Sequence, residues 1–337
     1  MPPNNRNAGE AAKRPKCEAA SMIEPFGRPS NEGSPTAEEA CGGNVKCKFC
    51  ATLHRARELE PFDPLPQLCS PLTPGVQLVN LRYSDDEQIL HVHLGRDWKR
   101  MFEQLPLIGE GLVMTRNEAA ILGRRMTFPE LAFTTRGTKG ASGQGGLWFD
   151  FRALGAARAV HLRCDSGHIF GIEFADDAGA TIHRFTATKA SNLDNFLGWV
   201  RLHQGCSGCG SAAGEPGGRL DGPVNGGGAL VPLFAACCED RLSIQATVHT
   251  SAVVQRACFI PQSLQAMDDW WFVSDDLVGL HFCTAQLTHF RIDRRLNGRD
   301  PRLLFYSHTH APEPALVLES RDDRQAVTWC ELLHSIT

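Results

Sequence analysis

The chain has 337 residues, enough for two domains of ordinary size, each with its own hydrophobic core. Its net charge of −4 does not favour binding to nucleic acid or to an anionic membrane, and it contains no run of about 18 apolar residues that could cross a bilayer. Thirteen cysteines behind an N-terminus without an apolar signal region predict reduced thiols and a soluble, cytoplasmic protein.

The first 75 residues are expected to contribute little to a folded core. Residues 1–40 are rich in Pro, Gly, Ala, Asn and Glu, which predicts a disordered tail. Residues 41–75 form a transition with several prolines and a cysteine cluster. Four side chains in this transition have the spacing C-x5-C-x2-C-x3-H and could supply the four donors of a tetrahedral zinc site: Cys41, Cys47, Cys50 and His54.

Residues 76–204 are predicted to form a first folded unit. Strands are expected at 76–83 and 89–95, followed by a short amphipathic helix at 98–104. The run EGLVMTRNEAAILG at 110–123 predicts two strands about a polar turn. Further strands are expected at 146–151 and 159–164.

A glycine-rich segment at 205–229 is predicted to be a flexible linker. It contains a second Cys-x-x-Cys pair, Cys206 and Cys209. An open alternative is that this pair and the pair Cys47 and Cys50 together form one four-cysteine zinc site. Such pairs also arise by chance in a cysteine-rich chain. The second unit, 230–337, is predicted to begin with a helix near 230–238, and its strands are expected at 242–249, 253–259, 270–274, 277–282 and 288–295.

Two segments have the same predicted order of elements, strand–turn–strand–helix. They span 167–203 and 302–335, near the end of each unit. Each segment has a Ser-x-x-Asp pair at the start of its helix, which is the spacing of a capping box, and a tryptophan within the helix. In the first segment these residues are Ser191, Asp194 and Trp199. In the second segment they are Ser320, Asp323 and Trp329. The sequence therefore predicts an α+β protein of two tandem repeats, each a mainly antiparallel β-sheet with a C-terminal helix.

Residues 107–203 resemble the first repeat of the HemS/ChuS family of cytoplasmic haemin-handling proteins. The resemblance lies in LIGEGLVMTRNEAAIL at 107–122 and in FADDAGATIHRFTATKASNLDNF at 174–196. In the second unit, DDWWFVSDDLVGLHF and THFRIDRR are similar to later segments of the family. The resemblance implies haem held in a cleft, an axial histidine on a helical segment after the linker, and cationic and tyrosine side chains at the propionates.

A haem site requires an axial donor and cations for two propionates. The candidate donors are His249, which is our first choice, and His281, for which a core position is the competing interpretation. Arg294 and Arg295 are the candidate cations.

Two functions remain open from the sequence. The first is binding of haem or a related tetrapyrrole in the cytoplasm, as carrier or store, with haem degradation implied only by the resemblance. The second is a non-enzymatic binding or scaffold module that has the same fold, binds no haem and is stabilised by a zinc ion. The absence of a histidine from the linker 205–229 favours the second, and Arg294 with Arg295 favours the first.

Overall fold

The computed structural model describes residues 89–142, 146–164, 167–205, 227–267, 270–294, 301–308, 312–321 and 323–335. The predicted strand at 76–83, the N-terminal tail and most of the linker lie outside these ranges. No helix within them is long and apolar enough to cross a membrane.

The first half contains nine strands and two α-helices within the described ranges. Its strands are β1 (Ile89–His93), β2 (Gly109–Arg116), β3 (Ala120–Thr127), β4 (Leu131–Phe133), β5 (Lys139–Ser142), β6 (Leu147–Asp150), β7 (Leu154–Cys164), β8 (Gly167–Asp176) and β9 (Thr181–Ser191). Its helices are α1 (Trp98–Gln104) and α2 (Leu193–His203). The helix predicted at 98–104 is therefore confirmed.

The second half begins with α3 (Leu230–Glu239) and ends with α4 (Ala326–Ser335). Its described strands are β10 (Ile244–His249), β11 (Val253–Phe259), β12 (Ser263–Met267), β13 (Trp270–Ser274), β14 (Val278–Cys283), β15 (Leu287–Asp293), β16 (Arg302–Ser307) and β17 (Leu316–Ser320). The α+β class and the helix at the end of each half are confirmed.

The strands form two antiparallel sheets that exchange strands between the halves. The first sheet has the order β1-β7-β8-β9-β2-β3-β14-β13-β12, and the second has the order β15-β16-β17-β10-β11-β6-β5-β4. Once β1 is set aside, the two orders are equivalent strand for strand. In each sheet, the last three strands come from the other half, so each half completes the sheet of its partner. This arrangement supports the duplication inferred from the sequence.

Each half has a buried helix tryptophan that is anchored by a hydrogen bond. Trp199 Nε1 donates to the Met101 carbonyl at 3.0 Å, and Trp329 Nε1 donates to the Pro301 carbonyl at 2.9 Å. Both indole rings belong to the hydrophobic cores, one in each of two separate clusters. Burying an aromatic ring while pairing its N–H is the stable arrangement for tryptophan.

The capping box predicted at the start of α2 is wrong. The N-cap of α2 is Asn192, whose side chain accepts a hydrogen bond from the Asn195 backbone N–H. Ser191 instead ends β9, where its hydroxyl accepts a hydrogen bond from the Thr188 N–H at 2.8 Å. Ser320 ends β17, and α4 starts only at Ala326, after a single 3-10 turn. In both places the strand continues to the serine, so the helix begins later than the motif predicts.

A buried polar cluster joins the two sheets where β2 and β9 meet β11. The Thr115 hydroxyl donates to Gln255 Oε1 at 2.7 Å and lies 2.8 Å from His183 Nδ1. Gln255 Nε2 also donates to the Val113 carbonyl at 3.2 Å. The strand pairing places Val248, Leu316 and Leu122 at the positions equivalent to Thr115, His183 and Gln255, respectively, with the two halves exchanging roles. The polar cluster therefore has an apolar counterpart at the symmetry-related place in the fold.

Candidate ligand site

The structure places the two candidate axial histidines on different sheets. His249 is the last residue of β10 in the second sheet and is half-buried. Its backbone N–H donates to the Ala315 carbonyl, and its carbonyl accepts a hydrogen bond from Asn117 Nδ2 at 2.8 Å. His281 lies in β14 of the first sheet, and its ring stacks on Phe272 with a centroid separation of 4.4 Å.

His281 has the properties of a neutral imidazole with an unused nitrogen. The residue is 5 % exposed, and Nε2 is buried without a hydrogen-bond partner in the part of the chain that the structure describes. Burial lowers the pKa of His281 to about 4. The ring is therefore uncharged at neutral pH, which is the state that binds iron, but a ligand can reach it only if neighbouring side chains move.

The predicted cations do not come near His249. Arg294 is exposed and follows β15, the edge strand of the second sheet. Three strand spacings, about 14 Å, separate β15 from β10, and the register places Arg294 at the opposite end of the strands from His249. Arg295 lies outside the described residues.

The predicted zinc ligands also lie outside the described residues, as do both cysteines of the linker pair. These residues are Cys41, Cys47, Cys50 and His54, and Cys206 with Cys209. Among the residues that the structure describes, no group of three or more His, Cys, Asp or Glu side chains could hold a metal ion. The zinc site stays a prediction.

A small cavity opens on the first sheet at the end of β2. Its volume is about 60 Å³, and it is lined by Met114, Arg116, Ile121, Glu173, Thr181, His183 and Arg184. Alternation along the strands places Met114, Arg116 and Ile121 opposite the core residues Val113 and Leu122. We refer to this side of the first sheet as the outer face.

One carboxylate and three arginines lie together beside this cavity. Glu173 Oε2 accepts a hydrogen bond from Arg158 Nε at 2.6 Å, and Glu173 Oε1 lies 3.7 Å from Arg184 Nη1. Burial alone would raise the pKa of Glu173, but Arg184, Arg158 and Arg116 outweigh it, so the net effect is a lowered pKa. Burial lowers the pKa of Arg116, while the charge of Glu173 opposes that change. With all four groups ionised, the cluster has a surplus of positive charge.

Arg184 is the most enclosed cation of the cluster. It is 7 % exposed, and its Nε and Nη2 atoms are buried without a hydrogen-bond partner among the described residues. Guanidinium N–H groups in protein interiors are normally paired, because leaving them unpaired is costly. Arg184 therefore offers two donors to whatever occupies the cavity.

His281 shares the outer face with this cavity. Arg116 pairs with Ile121 across β2 and β3, and Ile121 pairs with His281 across β3 and β14. Directly paired residues point to the same side of a sheet, so the imidazole lies about two strand spacings, roughly 10 Å, from the arginine. Phe272 and Ile121 are apolar members of this row and are themselves buried.

These residues have the chemical types that a tetrapyrrole site requires, but only some of them lie where a bound tetrapyrrole could contact them. The outer face has cations, apolar side chains and a neutral imidazole, which are the three requirements of haem binding. The cavity has room for a carboxylate group but not for a macrocycle. A bound porphyrin ring would therefore lie on the outer face and outside the cavity. The donor His281 is covered by Phe272, and coordination would require that ring to move.

The sequence analysis missed Arg116 and Arg184 as site residues, although both lie in segments that carried the resemblance. A signal was available, since Glu173 and Arg184 are charged residues that each stand between apolar neighbours in their strands. Such positions become informative only when the register shows that the two residues face each other.

The duplicated α+β architecture is the fold of the haem-handling proteins of the HemS/ChuS type, which confirms the resemblance at the level of fold. Apo-PhuS, a heme-binding protein from Pseudomonas aeruginosa, has a TM-score of 0.60 at 17% identity over 73% of this chain and 87% of that chain. Holo-PhuS gives 0.60 at 18% identity over 83% and 96%. ChuS, an E. coli heme oxygenase, gives 0.61 at 14% identity over 73% and 88%. Neither the protein-family models nor the curated proteins give a match to the sequence.

Proposed function

We propose that this chain binds haem or a related tetrapyrrole on the outer face of the first sheet, as a carrier or store in the cytoplasm. The observation that carries the proposal is the surplus positive charge of the Arg116 and Arg184 cavity beside an apolar row that ends in a neutral imidazole. Propionates need cations, and the porphyrin faces need apolar contact. The fold shared with PhuS, which is described as heme-binding, supports the same ligand class.

Each residue group has a distinct role in this proposal. Arg116 and Arg184 hold carboxylates, and Ile121 with Phe272 contacts the apolar ring surface. His281 is the proposed nitrogen donor, since Nε2 is neutral and unused among the described residues. His249, the first choice from the sequence, is the rival donor, and it would place the ligand on the second sheet.

Titration of the full chain with haemin tests the proposal. A Soret band shifted from that of free haemin should appear with a Kd of micromolar or tighter, about −8 kcal/mol. His281→Leu should alter the band position, whereas the matched variant His249→Leu should leave it unchanged. If the roles of the two variants are reversed, the ligand binds at the second sheet. An unchanged haemin spectrum on adding the wild-type chain would end the haem proposal.

A binding module without haem is the second candidate, and the placement of the predicted residues favours it. His249 and Arg294 are far apart, and His281 is covered by Phe272. This candidate predicts no spectral change with haemin. Haem degradation, which the resemblance alone implies, predicts loss of the Soret band when the haem complex is supplied with ascorbate and oxygen.

A further inference from the structure

We infer that the cavity at Arg184 is a carboxylate-binding site, so that a carboxylate of the ligand contributes more to its affinity for this chain than coordination of a metal does. The inference rests on the proposed function for the identity of the whole ligand, which supplies the carboxylate as a propionate. The cavity and its donors stand independently of that identity.

Arg184 has hydrogen-bonding capacity that the described residues do not use. Its Nη1 faces Glu173 at 3.7 Å, while Nε and Nη2 are buried and lack a partner within the described residues. Since Arg184 also lines the cavity, an acceptor placed there would complete its pairing. An acceptor with two oxygens matches the planar guanidinium fork.

The cluster also has a surplus of positive charge. Glu173 is the carboxylate of the cluster, and Arg158 already bonds its Oε2 at 2.6 Å. Among these four groups the three arginines carry two positive charges more than Glu173 neutralises, so an anion placed in the cavity would be attracted.

The cavity is also small. The cavity of about 60 Å³ is far smaller than the roughly 300–1,000 Å³ of pockets that enclose a drug-sized ligand. A carboxylate group fits this space, and a porphyrin ring does not. The rest of the ligand must then lie outside the cavity on the outer face, where contact with the buried Met114 and Ile121 requires neighbouring groups to move.

Two experimental arms separate this inference from the proposed function. In the first arm, the melting temperature of the full chain is measured in sodium propionate and in sodium chloride of equal ionic strength. A bound carboxylate should raise the melting temperature, because a ligand that binds only the folded state stabilises it. Arg184→Met should abolish the increase, and Arg184→Lys should retain only part of it, because it keeps the charge and loses the fork.

The second arm compares haemin with its dimethyl ester and with protoporphyrin IX, which has no metal. Esterification should weaken binding about 10- to 100-fold, since it removes charge-assisted hydrogen bonds. Removal of the iron should change the affinity by less than about tenfold. The wild-type chain suffices for this arm, so it stands even if an Arg184 variant fails to fold.

Arg302→Met is the matched control variant. Arg302 is also a strand arginine paired with a carboxylate across the neighbouring strand, at 2.5 Å from Asp293 Oδ2, but it lies on the second sheet. It should retain both the propionate effect and the ester effect. Loss of either effect in this control would show a general consequence of removing an arginine and would contradict the inference.

The remaining outcomes each decide one claim. Equal affinity for haemin and its ester, with no propionate effect, overturns the inference and leaves the proposed function standing. A propionate effect without haemin binding supports the carboxylate site and overturns the proposed function. Stabilisation by phosphate or sulfate as large as that by propionate would overturn the selectivity for carboxylates.

Discussion

Thr115→Val tests whether the polar cluster between the sheets stabilises the fold. The substitution keeps the shape of the side chain and removes its hydroxyl. Gln255 Oε1 then loses its 2.7 Å donor, and His183 Nδ1 loses its 2.8 Å partner. Each buried polar atom left unpaired costs about 1–3 kcal/mol, so two such atoms predict a loss of about 2–6 kcal/mol in the free energy of unfolding.

The residues at the symmetry-related positions predict how to recover that loss. The triple variant Thr115→Val, His183→Leu, Gln255→Leu reproduces the apolar set that the chain already uses at Val248, Leu316 and Leu122. Because no polar atom of the cluster remains to be buried unpaired, the triple variant should be more stable than Thr115→Val alone. Urea unfolding at pH 7, with an unchanged m-value, measures both differences.

Thr186→Val is the control for this experiment. Thr186 is also a buried strand threonine, but its hydroxyl has no hydrogen-bond partner among the described residues. The control should change the free energy of unfolding by less than about 0.5 kcal/mol. The reasoning is refuted if Thr115→Val is as neutral as the control, or if the triple variant loses as much as the three single variants together.

Two further predictions concern pH and zinc. Burial lowers the pKa of His281 from 6.5 to about 4. Between these two values the unfolded chain binds a proton that the folded chain does not bind. The free energy of unfolding is therefore unaffected by His281 above about pH 6.5 and decreases as the pH falls towards 4. His281→Leu should flatten the decline in unfolding free energy between pH 7.5 and pH 5, and an equally steep decline in the variant would count against it. The zinc hypothesis predicts about one zinc ion per chain in protein purified without chelator, measured by elemental analysis. Cys47→Ser should lower that zinc content. A wild-type chain without zinc would contradict the zinc hypothesis.

The elements with strong local patterns were predictable from the sequence. The amphipathic run at 98–104 became α1, and the apolar runs at 110–123 and 253–259 became β2, β3 and β11. The strands β4, β5 and β12 were missed, because they are only three to five residues long and their sequences lack a clear apolar–polar alternation. The exchange of strands was also missed, since it depends on pairing between distant segments that no local period records.

The sequence predicted the types of residue at the candidate site better than it predicted where those residues lie in the fold. His281 was recognised as a candidate, but its companions on the outer face depend on the pairing of β14 with β3, which joins the two halves. Arg294 was chosen for its charge, and the register then placed it at the far end of the other sheet. The partnership of Glu173 with Arg184 arises from the β8–β9 register and could not be found by spacing.

The exchanged strands also determine when this protein can finish folding. During synthesis, the first half leaves the ribosome before β11 and β14, the partners of β6 and β3, have been made. The nascent chain therefore carries two open strand edges, which can pair with other chains. These edges close only after the segment beyond the linker has been translated. Neither half can complete its sheet alone, so folding is delayed until most of the polypeptide has emerged.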